Sequence, residues 1–223
     1  MTLRQKVRGS TRFTKIAFSM RGIAGEFKCA SPGNKNYLFK CARPGSQTIF
    51  MKIKSILTNP SGQTLTVEYQ DIDSELDFKD KKISAVHAFC FYKGQLVIVY
   101  AESKGYWAPP GGSVEEGEDV INAVSREVHE ETNMKVIRQR FIGLQDIFDP
   151  KGTISQTRSV CIVEPYGDFI SDPDGDITEI KCIDPKEYKK YFDWGAVGER
   201  LMERALEAKA QMELMFEARA SHI

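Results

Sequence analysis

Two short runs decide how this chain is read: Gly111-Gly112-Ser113-Val114-Glu115-Glu116-Gly117-Glu118, and Arg126-Glu127-Val128-His129-Glu130-Glu131. A glycine loop opens into the segment Glu118–Thr132, which lacks Gly and Pro and carries Val120, Ala123, Val124 and Val128 at three- and four-residue spacing. That spacing predicts an amphipathic helix. Gly111 and Gly112 allow close backbone approaches that a Cβ would block, and Glu118 and Asp119 put negative charge where the helix dipole favours it. Glu127, Glu130 and Glu131, at i, i+3 and i+4, share one helix face. With Val120 at zero and ~100° per residue, Val124 falls near ~40°, Glu131 near ~20° and Glu127 near ~−20°, inside the arc the valines bury. A run of charge is usually a solvated face, but ionised groups do not enter a buried arc without compensation. Arg126 offers a local counter-charge for one carboxylate, not for three. A hard divalent cation suits carboxylate oxygens and can also bridge to phosphates.

Elsewhere the pattern is mostly that of strands. Lys52–Leu57 and Thr64–Ile72 flank Asn59-Pro60-Ser61-Gly62, and Ser84–Tyr92 and Gln95–Tyr100 flank Lys93-Gly94, so two hairpins are predicted. Arg140–Phe148, Gln156–Glu164 and Thr178–Ile183 read as further strands. From Trp194 to about Arg219 the chain reads as one long helix, with Val197, Leu201, Ala205, Ala208 and Met212 as its apolar stripe. Strands on both sides of a central helix, then a terminal helix, predict a mixed α+β sandwich rather than a βαβ repeat.

The motif itself resembles the Nudix box, G-x5-E-x7-R-E-U-x-E-E-x-G-U with U a bulky aliphatic residue. Gly112, Glu118, Arg126, Glu127, Val128, Glu130, Glu131 and Met134 match in order and spacing. One fixed position departs: Asn133 stands where the family has its second glycine. Asparagine is the residue that best replaces glycine in a left-handed helix cap, so the helix end should survive. Trp107-Ala108-Pro109-Pro110 ahead of the box also looks like the family's leading strand and loop. The resemblance implies a Nudix α/β/α sandwich with a mixed sheet over about Ile83 to Ala210. It further implies Mg²⁺ (or Mn²⁺) held by Glu127, Glu130 and Glu131 with the Gly112 carbonyl. Glu130 is assigned as general base, Arg126 and Glu118 as its supporting pair, and Gly111, Gly112 and Trp107 as substrate contacts. The reaction implied is attack of water on a diphosphate linkage in a nucleotide-like small molecule.

The overall formal charge is zero, yet residues 1–50 carry ten Lys/Arg against Glu26 alone, leaving 21 basic against 30 acidic residues beyond. With Pro32-Gly33, Pro44-Gly45 and no sustained period, this stretch reads as a basic, poorly ordered extension. A transit segment, an over-long start ending near Met51 and a nucleic-acid-binding arm are the readings of it. The organisation expected is thus 1–50 extension, 51–82 hairpin leading into the core, and 83–223 Nudix domain. Five cysteines without metal-ligand spacing point to a reducing compartment, and no apolar run nears the ~18 residues of a membrane span. A soluble cytoplasmic enzyme is expected, with a homodimer left open and no membrane partner.

Specificity is less legible. Pro150 lies about as far past the box as a proline associated with ADP-ribose hydrolases, but the Asp149-Pro150-Lys151-Gly152 sequence explains it as a turn. ADP-ribose, nucleotide sugars and nucleoside triphosphates therefore all stay open. Two other classes compete: a nucleotide-sensing Nudix-like binding protein, for which lost box glutamates would be expected, and an RNA-processing, decapping-type enzyme recruited through the basic extension. Cys90, Cys161 and Cys182 are read as buried small hydrophobes, His129 as a surface residue and His87 as undistinguished. Tyr106, Trp107 and Phe148 could stack on a base, though core packing is the commoner fate of aromatics near strand ends.

Overall fold

The computed structural model describes residues 50–58, 62–169, 172–173 and 175–220, with side chains as far as Phe216. The basic extension therefore lies outside the described residues apart from Phe50, as do Asn59, Pro60 and Ser61 of the first predicted turn. Eight strands form one mixed sheet: β1 (Lys52–Thr58), β2 (Thr64–Gln70), β3 (Ile83–Tyr92), β4 (Gln95–Ala101), β5 (Tyr106–Ala108), β6 (Met134–Asp149), β7 (Gly152–Pro165) and β8 (Ile177–Ile183). Their order is β1-β2-β6-β7-β3-β4-β5, with β8 joined to β4. Only the β3–β7 pair is parallel, running from Ile83 beside Ser155 to Phe91 beside Ile162. Helix α1 (Val120–Thr132) and helix α2 (Gly195–Ala220) supply the outer layers of the predicted sandwich.

The period-two alternation of β3 sorts its residues between the two layers. Val86, Ala88 and Cys90 meet Ala123, Val124 and Val128 of α1, whereas Phe89 and Phe91 meet Val197, Leu201, Ala205, Ala208 and Met212 of α2. The whole predicted α2 stripe is buried, and each large side chain sealed this way contributes roughly 1.5–3 kcal/mol. Strand β6 starts at Met134 instead of Arg140, because Met134–Gln139 continue the ladder against Cys161–Pro165. Two irregularities in that ladder break the simple alternation on which the shorter reading relied. The second leaves Ile142 out of register, and its carbonyl accepts from the Tyr69 hydroxyl at 3.1 Å.

Three expectations are corrected. Cys182 is exposed, unlike the buried Cys90 and Cys161, because β8 is an edge strand paired with β4 alone. Phe148 is 42% exposed near the tip of the β6–β7 hairpin, where no layer covers it. His87 is far from undistinguished: its Nδ1 is sealed from water without a hydrogen-bond partner. The Asp149-Pro150-Lys151-Gly152 turn stands as read, with Asp149 paired to Gly152 across it.

Asp71, just past β2, fastens α2 to the sheet. Its fully buried carboxylate accepts from Arg200 Nη2 at 2.6 Å, the Tyr69 hydroxyl at 2.8 Å and the Met51 amide at 2.9 Å, with Arg204 Nη1 at 3.6 Å. Arg204 also donates to the Ile72 carbonyl at 2.8 Å and pairs with Asp73. Burial and the neighbouring Asp71 push the Tyr69 hydroxyl pKa well up, so it remains a donor. Among the described residues no helix is long and apolar enough to cross a membrane.

Candidate active site

Helix α1 begins two residues later than its Gly- and Pro-free run. Asp119 is the N-cap, its Oδ1 accepting from the Asn122 amide at 2.8 Å, which leaves Glu118 on the preceding loop. At the other end Asn133 takes the left-handed conformation expected of it, with φ 51° and ψ 37°, and its amide donates to the His129 carbonyl at 2.8 Å. The box departure therefore preserves the helix end. His129 is exposed and lies edge-on to Tyr166, as a surface residue should.

Between these ends the box folds around Arg126, and all five guanidinium N–H groups have a use. Nε and Nη2 grip Glu118 Oε1 and Oε2 at 2.9 and 3.0 Å, and Nη2 also donates to the Ser113 carbonyl at 2.8 Å. Nη1 reaches Glu127 Oε1 at 3.0 Å and Glu130 Oε2 at 2.9 Å. The Arg126 guanidinium holds the Glu118 pKa below its ordinary value. Arg126 thus hydrogen-bonds three carboxylates and has a fourth, Glu115, at 3.9 Å, more than the one expected, yet brings a single positive charge to them.

Glu131 lies beyond its reach. Among the described residues the hydrogen-bond partner of its carboxylate is the Gly111 amide, at 2.8 Å. Burial pushes its pKa up to about 8; the Gly111 bond opposes this, the charges of Glu127 and Asp172 add to it, and Lys104 pulls back. The Glu131 overlap with the valine arc is real: its side chain points inward with them. Because the folded-state pKa lies above the unfolded value, Glu131 favours folding at pH below about 4.5, and that contribution is lost as pH rises through about 8. Without divalent metal, the melting temperature should accordingly fall between about pH 5 and pH 9, by roughly 2–4 kcal/mol of stability, and saturating Mg²⁺ should abolish most of the fall. Scanning calorimetry across that range with and without a chelator reads both parts.

The glycines explain how the loop gets so close. A Cβ on Gly111 would lie 2.1 Å from the Val86 carbonyl oxygen and 2.7 Å from the Cα of His87. A Cβ on Gly112 would lie 2.5 Å from both Glu127 oxygens. Gly112→Ala should leave the fold intact, since the end of a glutamate can move, but should displace that carboxylate and lower turnover by about 10–100-fold. A Tm within ~3 °C of wild type beside the reduced kcat is the expected pair of readings. The Gly112 carbonyl accepts from the Val86 amide at 2.9 Å, which leaves one lone pair for a further ligand.

Among the described residues, no three His, Cys, Asp or Glu side chains already surround one point as a metal cage, because Glu127 and Glu130 are turned onto Arg126. The residues nonetheless fit a hard divalent cation. They are oxygen donors one helical turn apart, and Glu131 is a half-buried acid that a nearby cation would bring back to its ionised form. Sequence reasoning missed Asp172 and Lys104, which act on Glu131 from outside the box; Asp172 is buried and caps the start of β8 through the Asp176 and Ile177 amides, both at 3.1 Å. Trp107 is packed instead of free: its ring lies 5.3 Å from Tyr100 and 5.9 Å from Tyr191, with Lys181 Nζ 4.1 Å above it.

The NUDIX domain model matches residues 81–204, more than half of the chain, which therefore belongs to the Nudix family and is a Nudix hydrolase. Comparison with curated protein sequences finds no match. Among solved structures the chain is similar to a mutant form of the Bacillus subtilis pyrophosphohydrolase BsRppH, with a TM-score of 0.53 and 18% identity over 69% of this chain and 96% of that one. A Nudix hydrolase from Nitrosomonas europaea gives 0.46 and 21% over 57% and 91%, and the MutT Nudix hydrolase from Burkholderia pseudomallei 0.42 and 17% over 56% and 98%. At these identities the likeness to BsRppH speaks for the fold.

Proposed function

We propose that this chain is a magnesium-dependent pyrophosphohydrolase, with Mn²⁺ as a substitute, that splits a diphosphate linkage in a nucleoside diphosphate derivative. The observation that carries the reading is the Glu131 carboxylate, half-buried beside Glu127 while every donor of Arg126 is spent on other groups. Once ionised, such an acid costs the fold stability, so its use lies in what it binds. Glu127, Glu130 and Glu131, with the Gly112 carbonyl, are the groups that would hold the cation. When bound, the cation supplies charge neutralisation for the diphosphate and a more acidic water.

The remaining roles belong to the chain's own side chains. Glu130, more exposed at 32% than Glu127 at 12%, accepts the proton of the attacking water as general base. Arg126 and Glu118 form a rigid bidentate pair that fixes where the helix carboxylates sit. Gly111 and Gly112 let the substrate's phosphates approach the backbone, and Trp107, stiffened by Tyr100 and Tyr191, serves as a fixed wall. The test is a panel of ADP-ribose, nucleotide sugars, dinucleoside polyphosphates and nucleoside triphosphates with Mg²⁺ or Mn²⁺, followed by product identification. Cleavage at a diphosphate linkage that stops with chelator and returns with Mg²⁺ is expected. A panel left whole under both metals would remove the proposal.

A further inference from the structure

On the sheet face covered by α2, Arg158 of β7 lies in register between Gly143 of β6 and His87 of β3. It is 3% exposed. Its Nη1 donates to the Thr157 carbonyl at 3.1 Å and its Nη2 to Gln156 Oε1 at 2.8 Å, but its Nε has no partner. Among the described residues no carboxylate lies within ion-pair distance of it; beyond those two neutral oxygens, the Trp194 ring lies 5.8 Å away and the Tyr69 hydroxyl acts on it electrostatically. Burial pulls the Arg158 pKa down to about 10, which still leaves it charged at neutral pH. A buried guanidinium with a spare donor and no counter-ion is strongly unfavourable unless something of opposite charge arrives.

Beside it stands His87, whose Nδ1 is also without a partner and whose ring is edge-on to Trp194 at 6.1 Å. This pair is not remote from the box. The Cβ that Gly111 lacks would lie 2.7 Å from the Cα of His87, and the Gly111 amide donates to Glu131, so the Gly111 backbone touches both the His87 backbone and a box carboxylate. Lys104 acts electrostatically on both Glu131 and His87.

We propose that Arg158, with His87 and Trp194, forms a second anion subsite that seats a phosphoryl group of the substrate other than the two whose linkage is broken. The inference rests on the hydrolytic reading given above and narrows it. A guanidinium with free Nε–H and Nη–H groups matches the oxygens of a phosphate in two-point fashion. A substrate that reaches this subsite carries a third phosphate, so nucleoside triphosphates and dinucleoside polyphosphates are favoured over ADP-ribose and nucleotide sugars.

The experiment is calorimetric binding of a methylene-bridged nucleoside triphosphate analogue, and of the free nucleoside, to the full chain with Mg²⁺. Arg158→Met should weaken the analogue about 10–100-fold and leave the nucleoside unchanged. It should also hold or raise the Tm, because an unpaired buried charge has been removed. Arg158→Lys, which keeps the charge without the fork, should fall between the two and guards against a folding defect in the first variant. An equal loss for nucleoside and analogue would mean that the subsite reads the base, and would overturn the proposal. So would unchanged analogue binding with a lowered Tm, the signature of a purely structural arginine. Should the substrate panel stay whole while analogue binding still depends on Arg158, the hydrolytic reading falls and the subsite stands.

Discussion

Glu131→Gln should lower kcat by about 10³-fold or more while leaving a folded protein, since on the proposed function the cation would supply several kcal/mol of transition-state stabilisation and the amide would not hold it. The neutral side chain can still accept from the Gly111 amide, and it no longer buries a charge. The metal-free variant should therefore melt above the wild type near pH 9, where the native carboxylate is ionised. Loss of activity and gain of stability together distinguish a functional acid from a structural one. Glu130→Gln should also lose most turnover, through the missing base. Steady-state kinetics with Mg²⁺ and calorimetry without it measure both variants. Full turnover in Glu131→Gln would end the assignment.

Asp71→Ala should destabilise the protein by about 3–5 kcal/mol, a Tm drop on the order of 10 °C. Removing this carboxylate takes from Arg200 and Arg204, whose side chains are only 12% and 7% exposed, the acid they share, leaving Glu203 to the first and Asp73 to the second, and it frees the Tyr69 hydroxyl from its shorter bond. Asp71→Asn keeps the shape and part of the hydrogen bonding, so it should fall between the two. Urea unfolding at constant m-value gives the difference directly. A change under 1 kcal/mol would show that water reaches the arginines when the acid is gone.

The sequence made the box legible because its constraints are local: helix spacing places Glu127, Glu130 and Glu131 on one face, and the Asn133 cap follows from backbone sterics. The strands of the two hairpins were legible for the same reason. What was hidden depends on pairing between distant segments. Arg158 and His87 look like ordinary polar members of alternating strands until the parallel β3–β7 register brings them side by side. Arg200 and Arg204 resemble a solvated helix edge until Asp71, about 130 residues earlier, is found beneath them. The length of β6 was obscured by its two irregularities, and the exposure of Cys182 by the edge position of β8. Asp172 and Lys104 have no spacing relative to the box that could have announced them.

Asn133 does something at the end of α1 that glycine could not. Besides completing the cap, its side-chain amide donates to the Asp168 carbonyl at 2.8 Å, and its own carbonyl accepts from the Tyr166 amide at 3.0 Å. The one departure from the family motif thus stitches the last turn of α1 to the stretch that leads toward Asp172. Glu130 and Glu131 occupy that same last turn. Residues 166 and 168 are therefore tied to the turn that carries the carboxylates by two bonds at a single residue, and a glycine there would sever one of them.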